Sequence, residues 1–263
     1  MRNHCWPPPI SVRQPVRRWR PTLVRAGALL SFGAPAQGCR CCLAVAGGFQ
    51  VQEVMRSRST QLKAGFGGFK GRPLKGGDRL ETGPCEDGLY PALRRRFDRS
   101  GQPSLSLDWF PAWYREIEFL RPARLRIIPG PQWPLLTADA RRSLLEKSFQ
   151  VAPNSDRMGL RLSGPRLALE RPLEMISSGV AAGTLQLPPD GAPILLMADR
   201  QTTGGYPRLG ELASVDLATA AQLRSLETAR FTTITLEKAQ ELLLQREARF
   251  RALERTLADR QSC

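Results

Sequence analysis

The residues best suited to chemistry stand in the order Asp199-Arg200-Gln201-Thr202-Thr203-Gly204-Gly205-Tyr206-Pro207. They follow the apolar run 193–198 and so fall at the end of an expected strand, where loops on a rigid scaffold carry functional groups. Two hydroxyls and two glycine amides in succession can surround an oxygen on which negative charge develops. Asp199 and Gln201 can hydrogen-bond a polar ligand, and Tyr206 can cover it. The same residues also suit a tight hairpin turn. A second stretch is Asn154-Ser155-Asp156-Arg157-Met158-Gly159-Leu160-Arg161. If residues 158–162 are extended, Arg157 and Arg161 project from one face. They can then clamp a carboxylate or phosphoryl group, with Asp156 orienting one guanidinium. The alternative is an exposed Asp–Arg pair that contributes almost nothing. The third stretch is Ser57-Arg58-Ser59-Thr60, followed by Gly65-Phe66-Gly67-Gly68 and Gly71-Arg72. Hydroxyls, an arginine and bare amides suit an oxyanion, or turn chemistry alone. No Gly-Lys-Ser/Thr ending follows these glycines, so they are not a P-loop.

Charge and composition narrow the function classes. The chain of 263 residues has 39 Lys and Arg against 24 Asp and Glu, a net charge of +15. Of the basic residues 34 are arginine, and the first acid is Glu53. Such a field attracts nucleic acid, anionic lipid or acidic substrates. The arginines are scattered, however, and few aromatics interleave with them. A solvated arginine-rich surface is the reading adopted, and nucleic-acid binding ranks last. The single histidine, His4, excludes a His-rich metal site and a catalytic dyad built on a histidine of the folded domain. Cys39, Cys41 and Cys42 have no second cluster at zinc spacing, so no metal site is expected. Reduced thiols in a cytoplasm are expected, because the chain is too long for a small disulfide scaffold. No apolar run is long enough for a membrane span. Arg17-Arg18 ahead of an apolar stretch imitates a targeting peptide, but Gly27 and Gly33 interrupt that stretch.

Several elements must position these residues. Short apolar runs at 29–32, 43–46, 125–128, 160–162, 185–187 and 194–198 alternate with Gly and Pro, the pattern of a mainly β domain. Helices are expected over 138–149, with Thr137 as N-cap and Asp139 in the first turn, and after Asp216 as far as 223. A long one over 236–258, capped by Thr235, has apolar residues at helical spacing. Residues 1–21 read as a disordered Pro/Arg-rich arm, 22–83 as an N-terminal β part and 84–122 as an irregular connection. Residues 123–235 read as a C-terminal β half and 236–263 as a helix and tail. Trp109, Phe110, Trp113 and Tyr114 in the connection suit a loop anchor on a sheet or, alternatively, a base-stacking platform.

Further short blocks join the three stretches: Gly38-Cys39-Arg40, Ala44-Val45-Ala46-Gly47-Gly48, Arg72-Pro73-Leu74 with Gly77-Asp78, Gly130-Pro131-Gln132 and Gln186-Leu187-Pro188. In order and spacing, over residues 15–244, the chain resembles the C subunit of bacterial 5-oxoprolinase. That family is also known as allophanate hydrolase subunit 2 or biotin-dependent carboxyltransferase, and includes the kinase-inhibitor antagonist of spore formers. The resemblance implies a mainly β (α+β), cyclophilin-like β-barrel fold with a few peripheral helices and the long C-terminal helix. It implies a heteromeric complex with a B-type subunit, like allophanate hydrolase subunit 1, and an A-type 5-oxoprolinase subunit. The implied activity is hydrolytic opening of 5-oxo-L-proline to L-glutamate, with ATP as co-substrate of the complex. Alternatives are carboxyl transfer from carboxybiotin to urea, and a non-catalytic antagonist of a kinase inhibitor.

Under the first of these readings, Arg157 and Arg161 bind a substrate carboxylate or phosphoryl group. Thr202, Thr203, Gly204 and Gly205 cradle the reacting amide, with Gln201 and Tyr206 beside it. Asp156 and Asp199 orient partners, and Ser57, Arg58 and Ser59 line the opposite wall. Members of the family begin with further strands, including a Gln-Asp-Leu-Gly-Arg stretch that is not found here, and Cys42 stands where tyrosine is usual. The chain is therefore expected to be an N-terminally truncated member whose residues 130–244 hold together best.

Overall fold

The computed structural model describes residues 15–85, 90–108, 119 and 121–261. His4, Cys5, Cys263 and the aromatic set Trp109, Phe110, Trp113 and Tyr114 lie outside the described residues. Two compact units emerge. One comprises Met1–Leu29, Cys41–Asp108 and Thr256–Cys263, and the other Leu30–Arg40 and Trp109–Arg255.

In the first unit, regular structure is sparse. Strand β1 (Thr22–Val24) is followed by β2 (Thr60–Gln61) and β3 (Phe66–Gly67), then helix α1 (Tyr90–Ser100) and strand β4 (Ser104–Ser106). β1 pairs antiparallel with β4, and β2 with β3. The apolar runs at 29–32 and 43–46 form no strand. Leu29 is 86% exposed, and a strand with nothing to cover its apolar face gains little from forming. Helix α1 corrects the expected irregular connection. Pro91 stands in its first turn, where the missing N–H costs nothing, and Phe97 is its buried anchor. The Arg25 guanidinium stacks 4.7 Å from the centre of the Phe97 ring.

The second unit holds the core. Every buried hydrophobic residue except Phe97 falls between Ala123 and Ala239, among the described residues. Strand β5 (Ala123–Pro129) shows why. Ala123, Leu125 and Ile127 are fully buried, while Arg124 between them is exposed, the period-two pattern of a strand with one wet face. Helix α2 (Ala138–Glu146), β6 (Phe149–Val151), β7 (Gly159–Ser163), β8 (Ser178–Gly179), β9 (Thr184–Gln186) and β10 (Ile194–Leu196) follow. Then come β11 (Thr203–Gly204), β12 (Arg208–Leu212), helix α3 (Leu217–Ala221), β13 (Thr228–Thr233) and helix α4 (Leu236–Gln261). Seven strands close a barrel in the order β10-β7-β6-β13-β5-β12-β9, which leaves no sheet edge. β5 and β13 run parallel, and the other barrel pairs are antiparallel. Phe149 and Phe231 meet edge to face inside it, ring centres 6.0 Å apart.

The helices follow their caps. Thr137 accepts a hydrogen bond from Ala140 N at 3.1 Å and starts α2. That helix ends at Glu146 rather than 149, because Phe149 is taken into β6 and buried in the barrel. Thr235 Oγ1 accepts from Lys238 N at 3.3 Å at the start of α4. Asp216 does not cap α3 with its side chain, and α3 stops at Ala221. Its buried carboxylate instead accepts from Arg126 N at 2.8 Å, from Arg126 Nε at 2.9 Å and from Arg126 Nη2. Residues 30–40 strap the end of α3. Gln222 Oε1 accepts from the amides of Cys39 and Arg40 at 2.9 and 3.0 Å.

Candidate functional site

The block at 199–207 folds as one arm of a two-stranded ribbon. In β11, Thr203 pairs with Gly179 and Gly204 with Ser178 of β8, and Val180 N donates to Thr202 O at 3.0 Å. The Thr202 and Thr203 side chains are exposed, as is Gln201. The ribbon covers the outer face of the barrel at β9 and β12. Leu185 of β9 faces the core, so its neighbours Thr184 and Gln186 face outward, yet both are fully buried. What covers Gln186 is Gly204. A Cβ on Gly204 would stand 2.6 Å from Gln186 Nε2, so any larger residue here requires the ribbon or the Gln186 amide to shift.

Beneath the ribbon the barrel wall is polar. Gln186 lies opposite Arg208, and Thr184 opposite Glu211, in the β9–β12 ladder. Thr184 Oγ1 donates to Glu211 at 2.9 Å. Burial pushes the Glu211 carboxyl above its ordinary value, opposed by that hydrogen bond and by Arg208 and Arg200. Arg208 N donates to Gln132 Oε1 at 3.0 Å, and Arg208 Nη1 to Gly179 O at 3.2 Å. Among the described residues, Ser178 Oγ, Gln186 Nε2 and Arg208 Nε are buried and have no hydrogen-bond partner. Gln132 and Gln186 stand in the short blocks that the sequence marks without giving them a role, and Ser178, Arg208 and Glu211 carry no signal in the sequence. A glutamine inside an otherwise apolar strand run, as at 185–187, is the sign that could have flagged the wall.

The second stretch is placed differently from the sequence expectation. Asp156 does not orient an arginine. Its Oδ1 accepts from Met158 N at 2.8 Å and Gly159 N at 3.3 Å, closing its own turn. Arg157 precedes β7 and pairs with Asp199, Nε to Oδ2 4.0 Å, while Asp199 N donates to Arg157 O at 3.0 Å. Arg157 thus meets Asp199 at the start of the 199–207 block. Arg161 lies on β7, is exposed, and lines a cleft of about 550 Å³ with Asn154, Arg166, Asp190, Ile194 and Tyr206. A smaller cleft of about 230 Å³ is lined by Cys39, Arg40, Ser155, Asp156 and Arg224. Across four adjacent strands the ladder pairs place Arg161, Ile194, Gln186 and Arg208 in one row. Arg161 and the polar wall thus share the outer face of the barrel.

Ser57, Arg58 and Ser59 belong to the other compact unit. Val54 and Ser57 exchange backbone hydrogen bonds at 2.9 and 3.0 Å around Met55 and Arg56, both at positive φ. Arg58 approaches Glu53 at 3.9 Å. The following glycines pack on their own chain: a Cβ on Gly67 would meet Ser59 O at 2.6 Å.

A model of the carboxyltransferase domain, subdomain A and B, matches residues 7–233. The chain belongs to this carboxyltransferase-domain family. It is 34% identical over 219 residues to the C subunit of 5-oxoprolinase from Haemophilus influenzae, covering 83% of this chain and 64% of that protein. Against the C subunit of 5-oxoprolinase from Escherichia coli it is 36% identical over 221 residues, covering 84% and 64%. The chain thus spans about 64% of the length of these two relatives. The K. lactis urea amidolyase structure shares the fold, with TM-score 0.66 at 24% identity over 84% of this chain and 13% of that one.

Family membership raises the question of which groups this carboxyltransferase domain holds. Among the described residues, no group of three or more His, Cys, Asp or Glu is placed to hold a metal ion. The glycine-rich segment does not fit a nucleotide phosphate. Gly65 N and Gly71 N donate to Gln61 O and Gly67 O, at 2.9 and 3.0 Å, so these amides are closed on their own loop. No helix among the described residues is long and apolar enough to cross a membrane.

Proposed function

We propose that this chain serves as the C subunit of a 5-oxoprolinase-like complex, with B-type and A-type partners, that opens 5-oxo-L-proline to L-glutamate with consumption of ATP. The observation that carries this reading is the cross-strand row from Arg161 to Arg208, beside an open cleft and beneath the 199–207 block. A lactam acid needs a cation for its carboxylate and donors for its carbonyl. Arg161 supplies the first, as a guanidinium suited to a carboxylate. The second falls to the face under Thr202, Thr203, Gly204 and Gly205, where fixed donors stabilise an oxygen that gains charge as water adds to the carbonyl carbon. The ring C–N bond then breaks and the nitrogen takes a proton. Tyr206, on the cleft with Arg161, covers the substrate. Asp199 holds Arg157 at the ribbon's base, and Gln201 meets the substrate or partner from the exposed turn. ATP enters as co-substrate of the complex. A cytoplasmic setting suits the free thiols of Cys39, Cys41, Cys42 and Cys85.

The kinship with urea amidolyase supports a second reading, carboxyl transfer from carboxybiotin to a small amide. Both chemistries require donors at an amide carbonyl. The experiment that separates them is glutamate release from 5-oxo-L-proline, with and without ATP, using this chain co-expressed with A- and B-type neighbours. ATP-dependent release that vanishes when this chain is omitted establishes the first reading. No release, together with biotin-dependent carboxylation of urea, establishes the second.

A further inference from the structure

We infer that Ser178 Oγ, Gln186 Nε2 and Arg208 Nε form a binding site for the carbonyl or carboxylate oxygen of a small amide-type ligand, and that the β8–β11 ribbon is a strap that lifts to admit it. This deepens the proposed function and rests on it only for the choice of first probe.

Four relationships place the three atoms together. Gln186 and Arg208 are direct partners in the β9–β12 ladder, and Ser178 and Gly204 in the β8–β11 ladder. Direct partners hold their side chains about 5 Å apart on one face. Gly204 lies against Gln186 Nε2, and Arg208 Nη1 reaches Gly179 O next to Ser178. All three orphaned atoms can donate. Buried donors are almost always bonded, so three of them converging without an acceptor mark a place where an acceptor belongs. Arg208 cannot lose its charge. Arg200, whose Nε donates to Val180 O at 3.4 Å, brings a second guanidinium to the ribbon's base. An oxygen bearing partial or full negative charge is therefore favoured. Glu211, the nearby carboxyl, is already engaged with Thr184.

The strap is built to move. Its ladder has two residue pairs, too few for independent stability. Its outer side, including Thr202, Thr203 and Ile176, is exposed, Ile176 at 93%. Gly204 lets it close without displacing Gln186.

The test is calorimetric titration of the full chain with 5-oxo-L-proline, 2-pyrrolidinone, urea and L-proline, paired with thermal melting of each variant. Gln186→Leu and Ser178→Ala are expected to weaken binding of the carbonyl-bearing probes at least tenfold while the Tm stays level or rises, because an orphaned buried polar group is removed. A purely structural role predicts the opposite pairing, unchanged affinity or a loss that tracks a lowered Tm, and either result overturns the site. Absence of saturable binding of every probe to the wild-type chain also overturns it. If the reconstituted complex opens 5-oxo-L-proline at an undiminished rate with both substitutions, this site fails and the substrate reading stands. If the chain binds 2-pyrrolidinone or urea through these donors while the complex never releases glutamate, the site stands and the substrate reading fails.

Discussion

Gly204 and Gln186 touch across the interface between the β8–β11 ribbon and the barrel wall, with room for no side chain between them. A Cβ on Gly204 would stand 2.6 Å from Gln186 Nε2, a separation no real methyl tolerates. Gln186 cannot swing away easily, since it is 1% exposed and its backbone is fixed between β10 and β12. Gly204→Ala should therefore lift the ribbon or displace Gln186, at a cost of about 1–3 kcal/mol as for other overpacked sites. Urea denaturation should show the lower midpoint with an unchanged m-value. Gly205→Ala is the control, because the nearest atom there is 3.4 Å away.

Glu211 gives the outer wall a pH signature. Burial raises its carboxyl above the ordinary value, against the Thr184 hydrogen bond and the charges of Arg208 and Arg200. A carboxyl that holds its proton more tightly when folded adds stability that is fully present below its unfolded pKa. That contribution declines as pH rises through the raised folded value and is gone above it. Denaturation midpoints measured across the weakly acidic range should fall with rising pH, and Glu211→Gln should flatten that part of the profile. A variant whose profile keeps the same slope would place the titration elsewhere.

Arg157 separates catalysis from stability. It forms a part-exposed, long ion pair with Asp199 at 4.0 Å, an arrangement that contributes about 1 kcal/mol at most. Arg157→Ala should leave the thermal midpoint almost unmoved. In the reconstituted complex the same substitution should lower kcat/KM by about 2 kcal/mol, roughly 30-fold, if the guanidinium meets the transition state. Asp199→Asn should produce part of the same loss by releasing Arg157. Unchanged turnover in both variants would remove the pair from the site.

What the sequence made legible follows from how local each cause is. The alternation Ala123, Leu125, Ile127 announces a half-buried strand, and Thr137 and Thr235 announce helix starts, because each signal lies within a few residues of its effect. Barrel closure is different. It needs β5 beside β13, whose partners Ala123 and Ala229 are far apart in the chain, and no local pattern records that pairing. The same holds within the site. The block at 199–207 stands out by composition, whereas its depth comes from Gln186, Arg208 and Ser178, which become neighbours only through two separate ladders. Asp156 misled for the opposite reason. The nearest donors to a short carboxylate are its own backbone amides, and Met158 N and Gly159 N take it before any guanidinium can. Helix α1 lies inside the stretch expected to be an irregular connection, and the buried Phe97 that holds it in place is visible only in three dimensions.

Asp216 and Arg126 supply the strongest stability prediction. Asp216 is 5% exposed, and its carboxylate accepts from the backbone amide and the guanidinium of one residue on β5. The pair links the turn before α3 to the barrel wall across 90 positions of sequence. Asp216→Ala takes this acceptor from the Arg126 amide, while the Arg126 side chain, 38% exposed, keeps access to water, so the loss should be about 1–3 kcal/mol. Against the total stability of an ordinary domain, about 5–15 kcal/mol, a loss of that size is readily measured. Asp216→Asn keeps the shape and the amide contact, so it should cost less. The paired substitution Arg126→Met with Asp216→Leu removes both charges together. It should recover part of the loss, because the desolvation of the Asp216 carboxylate disappears along with the pair's attraction. Urea titrations of the wild type, Arg126→Met, Asp216→Leu and the paired variant close a double-mutant cycle and measure the coupling. A paired variant no more stable than Asp216→Ala would mean that the Arg126 backbone amide, which neither substitution at position 126 nor leucine at 216 can satisfy, carries the interaction instead of the ion pair.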